Sequence, residues 1–370
     1  MKCTLIKGVV GGVTNMRRIH SRDVKPGMTV ASDVYALNNQ LVIPKGVVLN
    51  NKTISKLSFY SVPFIQIEDE ILAEETQKPL TYHEKIQNDP QFQKFKARFE
   101  QEVDTFKNQL NDVVNQNAPL DVDALLEHSN NIVSSAPDSI GILTLLSNMH
   151  SYDDETFTHC MNVSLICNLF AKWLHLSEDE VNKATLCGLL HDIGKMTIPE
   201  TILRKPGKLT EAEYIKIKEH SRAGYQILRD NKIDPHICNA ALMHHERSDG
   251  SGYPLHLKDS QIDPYAKIVA IADVYDATTS PRVYRGPMCP FEVIGIFEHD
   301  GLQKYSPEYI LVILENIVNT YLLETVKLSD DREGQVIYIN KDHLARPTIK
   351  IDDVYLDLST NKNINIVEIV

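Results

Sequence analysis

Six side chains able to ligate metal ions recur along the middle of this chain at intervals of about one helix-turn-helix unit. They are His191-Asp192 in HDIGKMTIPETIL, His220, His244-His245 in HHERSDGSGYP, and Asp273 in KIVAIADVYDA. Glu155 and His159 stand upstream in DDETFTHCMNV at i,i+4 spacing, one turn apart on one helix face. Neutral imidazole and carboxylate hold borderline and hard transition metals. Adjacent ligands on one backbone stretch converge more readily on two neighbouring ions than on one, so the two doublets predict a multinuclear centre. Two ions about 3.5–4 Å apart lower the pKa of a bound water and neutralise the attacking and leaving oxygens of an in-line phosphoryl displacement. Asp192, directly after a histidine, is the natural bridging carboxylate.

The elements that must position these ligands have readable starts. Ser177 and Glu180 form a capping box, with Leu176 and Val181 as its hydrophobic staple, and Thr210 with Glu213 forms a second. Asp263-Pro264 supplies an N-cap followed by proline at the first helical position. These signals put His191-Asp192 near the C-terminal end of one helix, His220 inside the next, and Asp273 about two and a half turns into a third. Residues 137–325 therefore read as a helical domain. The nine remaining histidines, His128 among them, have no motif around them and are expected to be ordinary structural residues.

The flanking segments differ in character. Residues 16–75 alternate β-prone runs with turns such as Pro26-Gly27 and Pro44-Lys45-Gly46, predicting a small β-rich domain with a short helix near 51–60. Residues 76–136 read as a helical connector. Along it Phe92, Phe95, Phe99, Val103, Phe106, Leu110 and Val113 recur at gaps of 3, 4, 4, 3, 4 and 3. Such a seam either packs on its own domain or pairs the 92–113 helix in a homodimer. Residues 326–370 return to β-like alternation and predict a short β-like tail, a small appended hairpin or sheet. Residues 1–15 look like an extension ahead of a more ordinary start at Met16. The expected fold is mainly α, a helical bundle core between two smaller β-containing parts.

Composition narrows the function classes. With 50 acidic against 38 basic residues and a net charge of −12, the chain does not suit non-specific binding to a nucleic-acid polymer. Bound metal ions and local cations can still reverse the sign inside a pocket that takes a small phosphorylated ligand. The six cysteines are scattered without a CxxC pair, as in reduced cytoplasmic proteins. No apolar run is long enough to span a bilayer.

HDIGKMTIPETILRKPGKLT, the central His220, HHERSDGSGYP and ADVYDATTSPRVYR together resemble the HD-GYP family, over about residues 137–325. That resemblance implies an HD-superfamily helical fold and cyclic di-GMP phosphodiesterase activity, in which metal-activated water opens the ring to pGpG and GMP. It implies a complete ligand set of Glu155, His159, His191, Asp192, His220, His244, His245 and Asp273, holding two or three divalent ions, iron or manganese. Asp192 and Lys195 are the expected catalytic pair, with Lys195 stabilising charge at phosphate. Lys205, Lys208, Gly252, Tyr253, Pro254, Arg282 and Arg285 are the expected substrate contacts, the arginines as charged forks for a second phosphate or a guanine. In the family the GYP loop is also associated with partners that synthesise the dinucleotide. Residues 16–70 are similar to the small domain that precedes HD-GYP domains in some bacterial proteins. Two departures stand out: Ser248 where the family usually has tryptophan, and Lys267 where arginine is common. Hydrolysis of another cyclic dinucleotide, or binding of cyclic di-GMP without turnover, are the alternatives.

Overall fold

The computed structural model describes residues 16–36, 41–60, 62–68, 82–116, 118–136, 139–149, 155–280 and 288–370. Two compact units divide after residue 79. In the first, β5 (Phe64–Glu68) lies between β1 (Met16–His20) and β2 (Thr29–Val30), antiparallel to both. A second pair joins β3 (Val34–Tyr35) to β4 (Leu41–Ile43). Strand β5 alternates as a half-buried strand must, with Ile65 and Ile67 inward and Phe64 and Gln66 outward. Helix α1 (Asn51–Phe59) starts where Asn50 and Thr53 cap each other reciprocally, at 3.0 and 2.7 Å. Leu57 of α1 closes the small core over Val30, Ile43, Leu49, Ile65 and Ile67.

The second unit opens with α2 (Tyr82–Gln87), α3 (Pro90–Gln116), α4 (Val122–Val133) and α5 (Ser139–Ser147). The phenylalanine seam of α3 is covered by its own chain: Phe92, Phe95, Phe99 and Phe106 are each at most 1% exposed and join one core with α4, α6 and α7. This settles the choice between the two seam readings and corrects the homodimer expectation for the 92–113 helix. A seam already dehydrated within the chain has no apolar area left to offer a second copy.

The central bundle follows: α6 (Glu155–Trp173), α7 (Glu178–Leu190), a 3-10 turn (Ile193–Thr197), α8 (Glu200–Leu203) and α9 (Glu211–Lys218). It continues through α10 (His220–Asp230), α11 (Pro235–Met243) and α12 (Pro264–Thr279). Helices α6 and α7 pack along their length, and α12 lies against α6, α7 and α11. The Ser177–Glu180 and Thr210–Glu213 capping boxes start α7 and α9, and Asp263 caps α12 with Pro264 in its first turn.

Helices α13 (Pro290–Ile296), α14 (Leu302–Lys304) and α15 (Pro307–Asn319) lead into β6 (Thr325–Leu328), β7 (Glu333–Asn340), β8 (His343–Ile351), β9 (Val354–Asp357) and β10 (Ile366–Ile369). These strands form one antiparallel sheet ordered β10-β6-β7-β8-β9. Of the hairpin or sheet that the alternation predicts, it is the sheet. Val326, Leu328, Val336, Leu344, Ile349 and Ile366 share the core of the bundle, and Glu298 accepts the backbone N–H groups of Leu344 and Ala345 at 2.5 and 3.1 Å. No described helix is long and apolar enough to cross a membrane.

Candidate metal centre

Helix ends build this site. His191 follows the last residue of α7 and His244 the last residue of α11, while His220 opens α10 directly after α9 ends. Carbonyls in the last turn of a helix lack intrahelical partners. Each of these histidines bonds a carbonyl of such a turn: Nδ1 of His191 donates to Gly188 O at 2.7 Å, Nδ1 of His220 to Ile217 O at 2.7 Å, and Nδ1 of His244 to Ala240 O at 3.1 Å, beside the backbone N–H groups that Ile217 O and Ala240 O also accept. A carbonyl only accepts, so Nδ1 carries the proton and Nε2 turns a lone pair inward. His220 thus sits at a helix start instead of inside a helix, because the chain breaks step at Glu219.

The turn after Asp192 is pressed against α10. A Cβ on Gly194 would stand 2.0 Å from His220 O and 2.5 Å from Gly224 N, so glycine is required for that approach. With the backbones this close, His220 Nε2 lies 3.3 Å from Asp192 Oδ1 and 3.2 Å from His244 Nε2. His191 Nε2 is 3.3 Å from the other oxygen, Asp192 Oδ2. His159, one turn into α6, places Nε2 3.1 Å from Asp273 Oδ1 and 3.8 Å from Asp192 Oδ2. His245 reaches Asp273 Oδ2 at 3.9 Å.

Three ligand groups result: His220, His244 and His245; His159, His191 and Asp273; His191, Asp192 and His244. Within each, the ligating atoms lie within 4.8 Å of one another. Because His191 and His244 are shared, the three merge into one centre. It gathers seven of the eight predicted ligands. Glu155 is the first residue of α6, and its side chain lies outside the described residues.

The donor set suits divalent ions. His191 Nε2 and Asp192 Oδ1 are buried without a hydrogen-bond partner among the described residues, an arrangement that costs free energy unless something binds there. Burial pulls the pKa values of His220, His244 and His245 down, that of His245 to about 3, so all three are neutral as ligands must be. Burial pushes the Asp192 carboxyl up, but Lys195 and His191 outweigh it and hold it well below the usual carboxylate range. Asp273 is likewise kept ionised against burial by His159. His159 differs from its neighbours: burial opposes its charge, yet Asp273 and Asp276 outweigh burial and raise its pKa to about 9.

Asp276 has no counterpart among the sequence expectations. It lies one turn beyond Asp273 on α12, is buried, and accepts from His159 Nδ1 at 2.7 Å, Asn162 Nδ2 at 2.9 Å and Ser280 Oγ at 2.8 Å. A carboxylate behind a ligating imidazole fixes its tautomer and orientation. The i,i+3 spacing of Asp273 and Asp276 was the available signal. Glu246 is the other unforeseen residue. Its buried carboxylate accepts Leu255 N at 2.6 Å and Leu257 N at 3.0 Å, tying down the far end of the GYP loop.

The expected substrate residues fall into distinct positions. Lys195 pairs with Asp192 at the centre itself. Tyr253 stacks on the metal-site ring of His245, centroids 4.6 Å apart and planes 30° apart. Gly252 lies so close to the backbone of residues 245–247 that a Cβ would stand 2.4 Å from Glu246 Cα, and Arg222 donates to Pro254 O at 3.2 Å. Lys205 is engaged by both carboxylate oxygens of Glu213, at 2.9 and 2.7 Å, and Lys208 is exposed. Arg282 and Arg285 lie outside the described residues. The two departures from the family pattern meet at one carboxylate: Ser248 Oγ and Lys267 Nζ each bond Asp259 at 2.8 Å.

A helical bundle whose helix ends deliver buried histidines and aspartates to one centre defines an HD domain, and residues 129–309 match the family described as HD domain. With the GYP loop beside that centre, these residues, just under half of the chain, are similar to the HD-GYP type of this family. The chain is 42% identical over 169 residues to 3'3'-cGAMP-specific phosphodiesterase 1 of Vibrio cholerae, covering 45% of this chain and 39% of that protein. It is 33% identical over 230 residues to a cyclic di-GMP phosphodiesterase of Pseudomonas aeruginosa, covering 60% and 55% of the two chains. The match therefore spans about half, or less, of these curated relatives. An HDG"Y"P protein from Bdellovibrio bacteriovorus has a related fold, with TM-score 0.50 and 18% identity over 82% of this chain and 99% of that one.

Proposed function

We propose that this chain hydrolyses cyclic di-GMP, opening the ring to pGpG with a further cut to GMP. The observation that carries the reading is the pair of orphaned buried atoms, His191 Nε2 and Asp192 Oδ1, at the meeting of three ligand groups beside the GYP loop. His159, His191, Asp192, His220, His244, His245 and Asp273 would hold two or three divalent ions, iron or manganese, with Glu155 as the eighth ligand. When bound, such ions lower the pKa of a water and neutralise phosphate oxygens during in-line displacement.

The remaining work belongs to side chains. Asp192 stays ionised among the histidines around it and would hold a metal ion through its carboxylate. Lys195 stays charged, because Asp192 outweighs the effect of burial on its ammonium, and can take charge developing on the leaving oxygen. Burial, more than its charged and aromatic neighbours, keeps the Tyr253 phenol protonated, so it can donate to a phosphate or ribose oxygen. The two relatives named above are described as phosphodiesterases of cyclic dinucleotides, which supports this class of substrate.

A second reading, 3'3'-cGAMP as the preferred ring, is favoured by the 42% identity to a phosphodiesterase described as specific for it. Protein loaded anaerobically with iron or manganese and offered cyclic di-GMP, 3'3'-cGAMP and cyclic di-AMP separates these readings. Linear product and GMP should appear fastest from cyclic di-GMP. Faster turnover of 3'3'-cGAMP would replace the first reading with the second. Binding of cyclic di-GMP with no linear product under either metal would make the chain a receptor.

A further inference from the structure

Beside the metal centre stands a cation that the reading above leaves unused. Helix α9 carries Tyr214 and Lys218 one turn apart and ends there, two residues before the ligand His220. The Lys218 ammonium lies 4.9 Å from the centre of the Tyr214 ring and 5.5 Å from that of Tyr253. Tyr253 in turn stacks on His245 at 4.6 Å, so this trio is continuous with the metal centre.

Three neighbouring lysines are held in ion pairs: Lys205 by Glu213 at 2.7 Å, Lys216 by Glu219 at 2.8 Å, and Lys195 by Asp192. Among the described residues no carboxylate lies within ion-pairing distance of Lys218, although the chain as a whole carries a net charge of −12. Aromatic faces hold a cation in place without cancelling its charge. Tyr214 is 50% exposed, leaving ring surface in water that nothing in the fold uses.

We infer that Tyr214, Lys218 and Tyr253 form a half-site for the part of a cyclic dinucleotide that is not being cut. Lys218 takes the non-scissile phosphate and Tyr214 stacks on the adjoining purine. The inference rests on the function proposed above. A cyclic dinucleotide has two phosphates and two purines, and only one phosphate can occupy the reaction position at a time. The other needs a cation outside the ligand set, and a purine needs an aromatic face; base–aromatic stacking contributes about 1–3 kcal/mol.

The test compares Lys218→Gln, Lys218→Arg and Tyr214→Ala with wild type in the metal-loaded full chain. Two substrates are used: cyclic di-GMP, and bis(p-nitrophenyl) phosphate, which has one phosphodiester and no purine. Lys218→Gln should raise KM for cyclic di-GMP about tenfold, the loss of one charge-assisted contact, with kcat changed much less. Tyr214→Ala should raise it about five- to tenfold. In both variants the preference for cyclic di-GMP over the small diester should fall in proportion, bound metal per chain should match wild type, and Lys218→Arg should recover most of the loss. An unchanged preference, or loss of metal from Lys218→Gln, overturns the half-site. If wild type cleaves the small diester and no cyclic dinucleotide, the functional reading fails and the half-site with it. If wild type cleaves cyclic di-GMP and the variants keep its KM, the half-site alone fails.

Discussion

Two buried histidine–carboxylate clusters lie in the same helical core and differ in what they leave undone. Between α3 and α4, His128 Nδ1 meets Glu102 Oε2 at 2.5 Å and its Nε2 meets Gln109 at 3.1 Å. The second Glu102 oxygen takes Asn131 and Arg98, each at 3.1 Å. Both nitrogens of His128 and both oxygens of Glu102 thus have a partner from this chain. At the metal centre His191 Nε2 and Asp192 Oδ1 have none. Burial and charge are common to both clusters, so neither property marks the functional one. The mark is binding capacity that the fold leaves unfilled.

Substituting the central carboxylate of each cluster should produce opposite losses. Asp192→Ala should reduce hydrolysis to background and lower the bound metal per chain, measured by elemental analysis. Its metal-free form should lose less stability than Glu102→Ala. Glu102→Ala should destabilise the fold by about 3–5 kcal/mol in denaturant titration, because it strands a buried partner. Metal content should survive in that variant. Equal stability losses in the two, or metal loss in Glu102→Ala, would erase the distinction.

A smaller effect separates the ligands from their support. Asp276→Asn keeps the shape behind His159 but removes the charge, and metal affinity should fall about 10–100-fold with the fold intact. An unchanged affinity would leave Asp276 as packing only.

The mildest test uses pH. His159 has a pKa raised to about 9 in the metal-free protein, so below that value a proton must leave before the ion binds. Affinity for the ion should therefore rise with pH between 7 and 9, by at most about tenfold per unit from this residue. Replacing Asp276 should flatten that rise, since it supplies part of the upward push. A slope that is the same in both proteins would remove His159 as its source.

Much of the centre was legible because ligands must be histidine or carboxylate and their supporting turns need particular residues. Ser177, Thr210 and Asp263 announced the helices, and the doublets announced ligand groups that meet at one place. Glu246 was not legible and Asp276 had only its i,i+3 spacing from Asp273 to mark it, since each acts through another group across the fold. The α3 seam showed its apolar spacing but not what would cover it; the periodicity of one helix does not name its partner. The C-terminal sheet was legible as alternation but not in its strand number, because β6 and β9 are four residues each and β8 contains Pro347, which breaks the expected strand composition.

Gly252 bears on how this sequence can vary over time. Imidazoles and carboxylates replace one another at many metal sites, so a ligand position has at least one substitution open to it. The backbone of residues 245–247 leaves Gly252 with no room for any side chain. Among descendants of this gene that keep the loop in place, the residue with no chemistry of its own has the narrowest choice.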